Sequence, residues 1–146
     1  MRVQAVVLAV LLMACGEGDK DAFQARFEVY FLTDEQTCYR CMEVASDGSG
    51  VASIRERAEL PAESRTFVLT EPELQEFLAD VELARTVEWA PSYESPARSD
   101  NWRFRLELSD ADGARRTVLE PASSEWPEHL APLMTRMLDT YRANLP

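Results

Sequence analysis

No stretch of this chain suits a retained membrane-spanning helix. The longest uninterrupted apolar run, Ala5 to Ala14, is ten residues, and a bilayer crossing needs about 20. Histidine occurs once, at His129, and cysteine three times, at Cys15, Cys38 and Cys41. A structural zinc site takes four ligands, which one CxxC and a single distant histidine do not supply. Haem attachment needs a histidine directly after the second cysteine, and Met42 stands there. Basic residues are outnumbered, 15 against 26 acidic, for a formal charge of −11. That balance argues against nucleic acid and against electrostatic docking on anionic lipid. It fits a cationic partner, or solubility alone. No serine or cysteine in a nucleophile elbow accompanies His129, so it reads as a surface or half-buried helix residue. Carboxylate pairs abound in so acidic a chain and identify nothing by themselves.

What is present begins at the N-terminus. Arg2, the apolar run and the small residues around Cys15 are the parts of a secretory signal. Leu12-Met13-Ala14-Cys15 resembles the bacterial lipobox. The resemblance implies cleavage after Ala14, a diacylglycerol on the Cys15 sulfur and acylation of the new amine. Two or three acyl chains anchor stably where one is marginal. Position +2 is Gly16 rather than the aspartate that retains lipoproteins in the inner membrane of enteric bacteria, so the periplasmic face of the outer membrane is expected. Residues 15–24 then read as a lipidated tether. The nine residues Gly16 to Gln24 reach at most about 30 Å. Removing residues 1–14 takes Arg2 alone from the charges, leaving 132 residues with 14 basic and 26 acidic, a formal −12. That length suits a single domain, over 25–146.

The pass along this domain alternates strands and helices. Ala25–Phe31 has period two, with Phe27, Val29 and Phe31 inward. Arg40, Met42 and Val44 resume that alternation, and Asp47-Gly48-Ser49-Gly50 turns the chain into Val51–Arg57 as a hairpin. Thr66–Leu69 is a short extended piece. Thr70-Glu71-Pro72-Glu73 predicts a capping box, with Leu69 and Leu74 as hydrophobic staple, and Leu74, Phe77, Leu78 and Val81 share one helical face. Residues 84–100, with Pro91 and Pro96, read as a long loop. Trp102, Phe104, Leu106 and Leu108 form a second good strand. Asp110-Ala111-Asp112-Gly113 then turns into Arg116–Glu120. This stretch resembles the start of a calcium loop, but the bidentate-glutamate position falls on Pro121, so it reads as a hairpin turn. Leu130, Leu133, Met134, Met137, Leu138 and Tyr141 predict a final helix, capped by Ser124, with Pro127 in a first turn and Pro132 marking a kink or the true start. The expected fold is α+β: an antiparallel sheet of 4–6 strands with two helices on one face, in the order ββ(β)αββα.

With Cys15 assigned to lipid, Cys38 and Cys41 are an even pair in an oxidising compartment. A structural disulfide competes with a thiol-disulfide redox site and with free thiols. A redox pair of the thioredoxin kind wants a helix N-terminus beneath the first cysteine; here a strand pattern follows. Side chains three apart in a regular strand face opposite ways, so a Cys38–Cys41 bond requires residues 37–41 to depart from β geometry. Trp89 and Tyr93, between prolines, are either a partner-binding patch or aromatics tucked over the sheet edge.

The strand-rich start, the Asp-Gly hairpin, Leu69-Thr70-Glu71-Pro72-Glu73-Leu74 opening a helix, a later hairpin and the ending Pro127-Glu128-His129-Leu130-Ala131-Pro132-Leu133-Met134 together resemble emfourin. Emfourin is a small bacterial protein inhibitor of thermolysin-type metallopeptidases such as protealysin. The chain is also similar to small bacterial lipoproteins of unknown function with a cysteine-bearing first hairpin. The likeness spans most of residues 25–142 as element order and core spacing, and implies a non-enzymatic binding module whose partner is a peptidase or envelope protein. The alternatives are a CxxC redox protein and a structural lipoprotein of an envelope complex. The sequence points to no cofactor, metal, catalytic residue or small-molecule substrate.

Overall fold

The computed structural model describes residues 21–94, 101–120 and 125–146. The Leu12–Cys15 motif, the tether to residue 20, Pro96, Pro121 and Ser124 lie outside them. Nine elements follow in chain order: β1 (Phe23–Phe31), β2 (Arg40–Ala45), β3 (Ser49–Ile54), β4 (Glu63–Val68), α1 (Glu71–Arg85), β5 (Ser92–Tyr93), β6 (Trp102–Asp110), β7 (Gly113–Leu119) and α2 (Ala131–Ala143). They form one seven-stranded sheet in the order β4-β3-β2-β1-β6-β7-β5. The α+β class is as expected, but the strand count exceeds 4–6 and the sheet is mixed. The addition is β5, which pairs parallel to β7 through Ser92 and Tyr93. Two residues inside a proline-bearing loop carry no readable period.

Alternation sets the two faces. Phe23, Ala25, Phe27 and Val29 of β1, Met42 and Val44 of β2, and Leu106 and Leu108 of β6 are buried on one side. Both helices cover that side: the Phe23 ring meets Phe77 of α1 at 5.8 Å and the Phe27 ring meets Tyr141 of α2 at 6.2 Å. Burying each large side chain contributes about 1.5–3 kcal/mol. β1 starts at Phe23, itself part of the core, so Phe23 and Gln24, expected within the tether, belong to the folded domain.

The opposite face is a lattice of paired charges. Arg26 bonds Glu28 at 2.6 Å and Glu43 at 3.2 Å, and Arg105 bonds Glu28 at 2.8 Å. Arg116 pairs with Glu107, and Arg103 with Glu120 at 3.3 Å. The guanidinium of Arg105 lies over the Tyr30 ring, 4.4 Å from its centre, a cation–π contact that helps to bury Tyr30. Directly opposed unlike charges stabilise neighbouring strands, and here the register supplies them, with Arg26 facing Glu107 and Glu28 facing Arg105.

Local signals place the helix starts. The Glu73 carboxylate accepts from the Thr70 N–H at 2.8 Å and the Thr70 hydroxyl at 2.7 Å, the reach-back of a capping box. Leu69 and Leu74 close over Gly48, whose φ of +85° makes the β2–β3 turn. Such a φ suits glycine. The Leu69 N–H donates to the Gly48 carbonyl at 2.9 Å, tying the staple to the turn. α2 begins at Ala131 with Leu130 as N-cap and Pro132 in its first turn. Pro132 therefore marks the start rather than a kink, because a first-turn residue needs no free N–H. Asp110 Oδ1 accepts from the Asp112 N–H at 2.9 Å, and this turn joins β6 to β7, as a hairpin requires.

Candidate functional site

The Thr37–Tyr39 stretch lies outside the named strands and leads directly into β2. β1 ends at Phe31, and the Asp34 N–H donates back to the Phe31 carbonyl at 2.9 Å, so the chain doubles over at once. Strand geometry resumes only at Arg40. Between these points the Tyr39 N–H donates to Val29 at 2.9 Å, and the Tyr39 carbonyl accepts from the Arg55 N–H at 2.8 Å. Cys38 and Cys41 are joined by a disulfide with their Cα atoms 5.9 Å apart, within the range such a bridge spans. The departure from β geometry expected over residues 37–41 covers only 37–39: Cys38 sits before the strand, whereas Arg40 and Cys41 pair regularly within it.

The clasp holds an aromatic corner. Phe31 and Trp102 are cross-strand partners, and their rings stack at 3.6 Å between centroids. Tyr39, inside the Cys38–Cys41 loop, meets both edge-on, at 4.9 Å from Phe31 and 5.8 Å from Trp102. Aromatic pairs of this kind contribute roughly 0.5–1.5 kcal/mol beyond their burial. The Tyr39 hydroxyl donates to Asp34 Oδ2 at 2.9 Å. Hydrogen bonds from Thr37 and then Tyr39 hold the Asp34 carboxyl below its usual range, and the bond to Asp34 raises the Tyr39 phenol. All three rings are only half-buried, and adjoining Leu32 is 46% exposed. The result is a rigid aromatic surface at one end of the sheet, with a carboxylate at its rim.

Of the two aromatics singled out in the sequence, Trp89 is not at the surface. It is buried in the core and its indole N–H donates to the Ala84 carbonyl at 2.7 Å, closing the end of α1. Tyr93 is half-buried, and its hydroxyl accepts from the Ala90 N–H at 2.9 Å. The tucked alternative describes them, and the partner-patch reading of Trp89 is corrected. A tryptophan one turn past a helix end satisfies that helix's free carbonyls, a role that loop composition does not reveal. His129 lies beside Tyr93, ring centres 6.3 Å apart, and its Nε2 has no hydrogen-bond partner among the described residues. Among the described residues no group of three His, Cys, Asp or Glu side chains is placed to hold a metal.

Alternation places Phe31 and Trp102 on strand faces and the cysteine motif contains Tyr39, but neither pattern brings the three together. The usable signal was their position at the ends of alternating runs, where a sheet face passes beyond its helical cover. No helix among the described residues is long and apolar enough to cross a membrane. No family model matches the chain, and no curated protein matches it.

Proposed function

We propose that this protein is a non-enzymatic binding module, tethered to the bacterial envelope through Cys15, that recognises a protein partner with the Phe31–Tyr39–Trp102 corner. The observation that carries the reading is the stacked, half-exposed aromatic trio locked beside the Cys38–Cys41 clasp. Preordered aromatics lose little conformational freedom on binding, and tyrosine and tryptophan dominate interface hot spots. The emfourin resemblance supports a thermolysin-type metallopeptidase as partner. An outer-membrane anchor with a short tether keeps such a module close to the membrane surface.

A pull-down from detergent-solubilised envelope, using the full lipidated chain, tests this proposal. A partner enriched by the native protein and lost with Trp102→Ala supports the binding surface, and inhibition of a thermolysin-type peptidase supports the specific assignment. Equal capture by both proteins removes the aromatic corner from the mechanism. Absence of both capture and inhibition overturns the reading.

A further inference from the structure

The two middle residues of the Cys38–Cys41 loop serve different places. Tyr39 joins the aromatic corner, whereas Arg40 lines a cavity of about 350 Å³ between α2 and the helix-side face of the sheet. Its walls are Phe27, Phe104, Trp126 and Leu138, drawn from β1, β6, the segment before α2 and α2 itself. Tyr141 also lines it, fixed by donation from its hydroxyl to the Ser53 carbonyl at 3.1 Å. The exposed lining residues include two arginines, Arg40 and Arg142, which therefore stand at the mouth. The volume lies within the range of small-molecule sites, about 300–1,000 Å³, and such sites combine apolar walls with a few convergent polar groups.

The two arginines put positive charge at the mouth. Acidic residues are in excess, and Arg26, Arg85, Arg105, Arg116 and Arg136 each hold a carboxylate. Arg40 has no carboxylate partner among the described residues. Arg142 pairs with Asp139 at 3.2 Å, but both side chains are about two-thirds exposed, and such a pair holds weakly. The field of Arg40 reaches the interior: burial raises the Tyr141 phenol, and Arg40 opposes that rise. Cys41 and the pairing of Arg40 with Val29 fix the backbone from which the guanidinium projects.

We propose that this cavity binds a small amphipathic carboxylate, its apolar body among Phe27, Phe104, Trp126 and Leu138 and its head group on Arg40 and Arg142. Arginine presents a planar fork of donors that matches a carboxylate. The walls accept an aliphatic chain or a ring, and two ligands separate these sources. The site is independent of the partner-binding reading.

The full chain is titrated with decanoate, 3-phenylpropionate and decanol, below their aggregation limits, while tryptophan fluorescence is followed. Binding of either carboxylate to the native protein is expected, with decanol at least tenfold weaker than decanoate. Arg40→Gln, an exposed change that keeps the stem, is expected to weaken the carboxylate by about tenfold, the size of one lost charge-assisted hydrogen bond. Arg40→Gln circular dichroism matching the native spectrum confirms that folding is unaffected. A preference for decanoate over 3-phenylpropionate assigns the chain, and the reverse assigns the ring. No binding by either carboxylate overturns the proposal. So does binding that is indifferent to both the head group and Arg40, since that is apolar adsorption.

Discussion

The ring of Phe67 rests on the backbone of Gly50. The two residues face each other across β3 and β4, and a Cβ at Gly50 would stand 2.3 Å from Phe67 Cζ and 2.8 Å from the Glu43 carbonyl oxygen. No side chain fits there without movement, so the glycine is required by the aromatic that covers it. Gly50→Ala is expected to destabilise the domain by about 1–3 kcal/mol, the usual cost of overpacking. Phe67→Leu in the same chain should restore part of that loss, because the Glu43 carbonyl still blocks the methyl group. Urea unfolding of both variants reads this directly; a neutral Gly50→Ala would disprove the contact.

Thr117 is fully buried on β7, and its hydroxyl has no hydrogen-bond partner among the described residues. Valine has nearly the same shape without the polar group. Thr117→Val is therefore expected to raise stability by about 1 kcal/mol, by removing a desolvated, unpaired hydroxyl. A loss of stability in thermal unfolding would show that the hydroxyl is satisfied in solution.

The Cys38–Cys41 bridge closes a loop of only four residues, for which chain entropy gives roughly 2 kcal/mol. The Cys38→Ser/Cys41→Ser double variant should remain folded with a lowered unfolding midpoint. Its near-ultraviolet circular dichroism should also weaken, as Tyr39 loosens from Phe31 and Trp102. A bridge that stays oxidised in thiol trapping and fails to reduce insulin is expected of a clasp. Catalytic turnover in the insulin assay would instead favour a redox role.

Acid should weaken the fold through three carboxylates held below their usual range. Asp34 is lowered by bonds from Thr37 and Tyr39, Asp47 by the Ser49 side chain and N–H, and Glu73 by the Thr70 N–H and hydroxyl. A depressed folded-state value stabilises at pH above the ordinary value and is lost as pH falls through the folded one. The urea midpoint is thus expected to hold at neutral pH, then fall from about the ordinary carboxylate range, near pH 4, downwards. Glu73→Ala should lower the neutral midpoint and make the acid limb shallower. An unchanged limb would remove the helix cap from the pH response.

Much of the fold was legible because its causes are local. The period-two run of β1, the turn at Gly48 and the Thr70–Glu73 cap each act over a few residues. The cysteine pair is equally local: three positions of separation suffice to say that a bond there interrupts a strand. β5 was not legible, since two residues have no period, and its pairing depends on where β7 lies.

Alternation assigns a residue to a face of a sheet without naming its neighbours on that face. Strand order and register supply those neighbours, and both follow from burial summed over the whole core. Pairing β1 with β6 set Phe31 against Trp102 and Glu28 against Arg105, while pairing β1 with β2 set Arg40 beside Val29 at the cavity. The burial of Trp89 likewise depends on where α1 ends over the sheet. The elements and the clasp are consequences of short-range chemistry along the chain. The aromatic corner, the charge lattice and the arginine-rimmed cavity exist only because distant segments bury their apolar faces together.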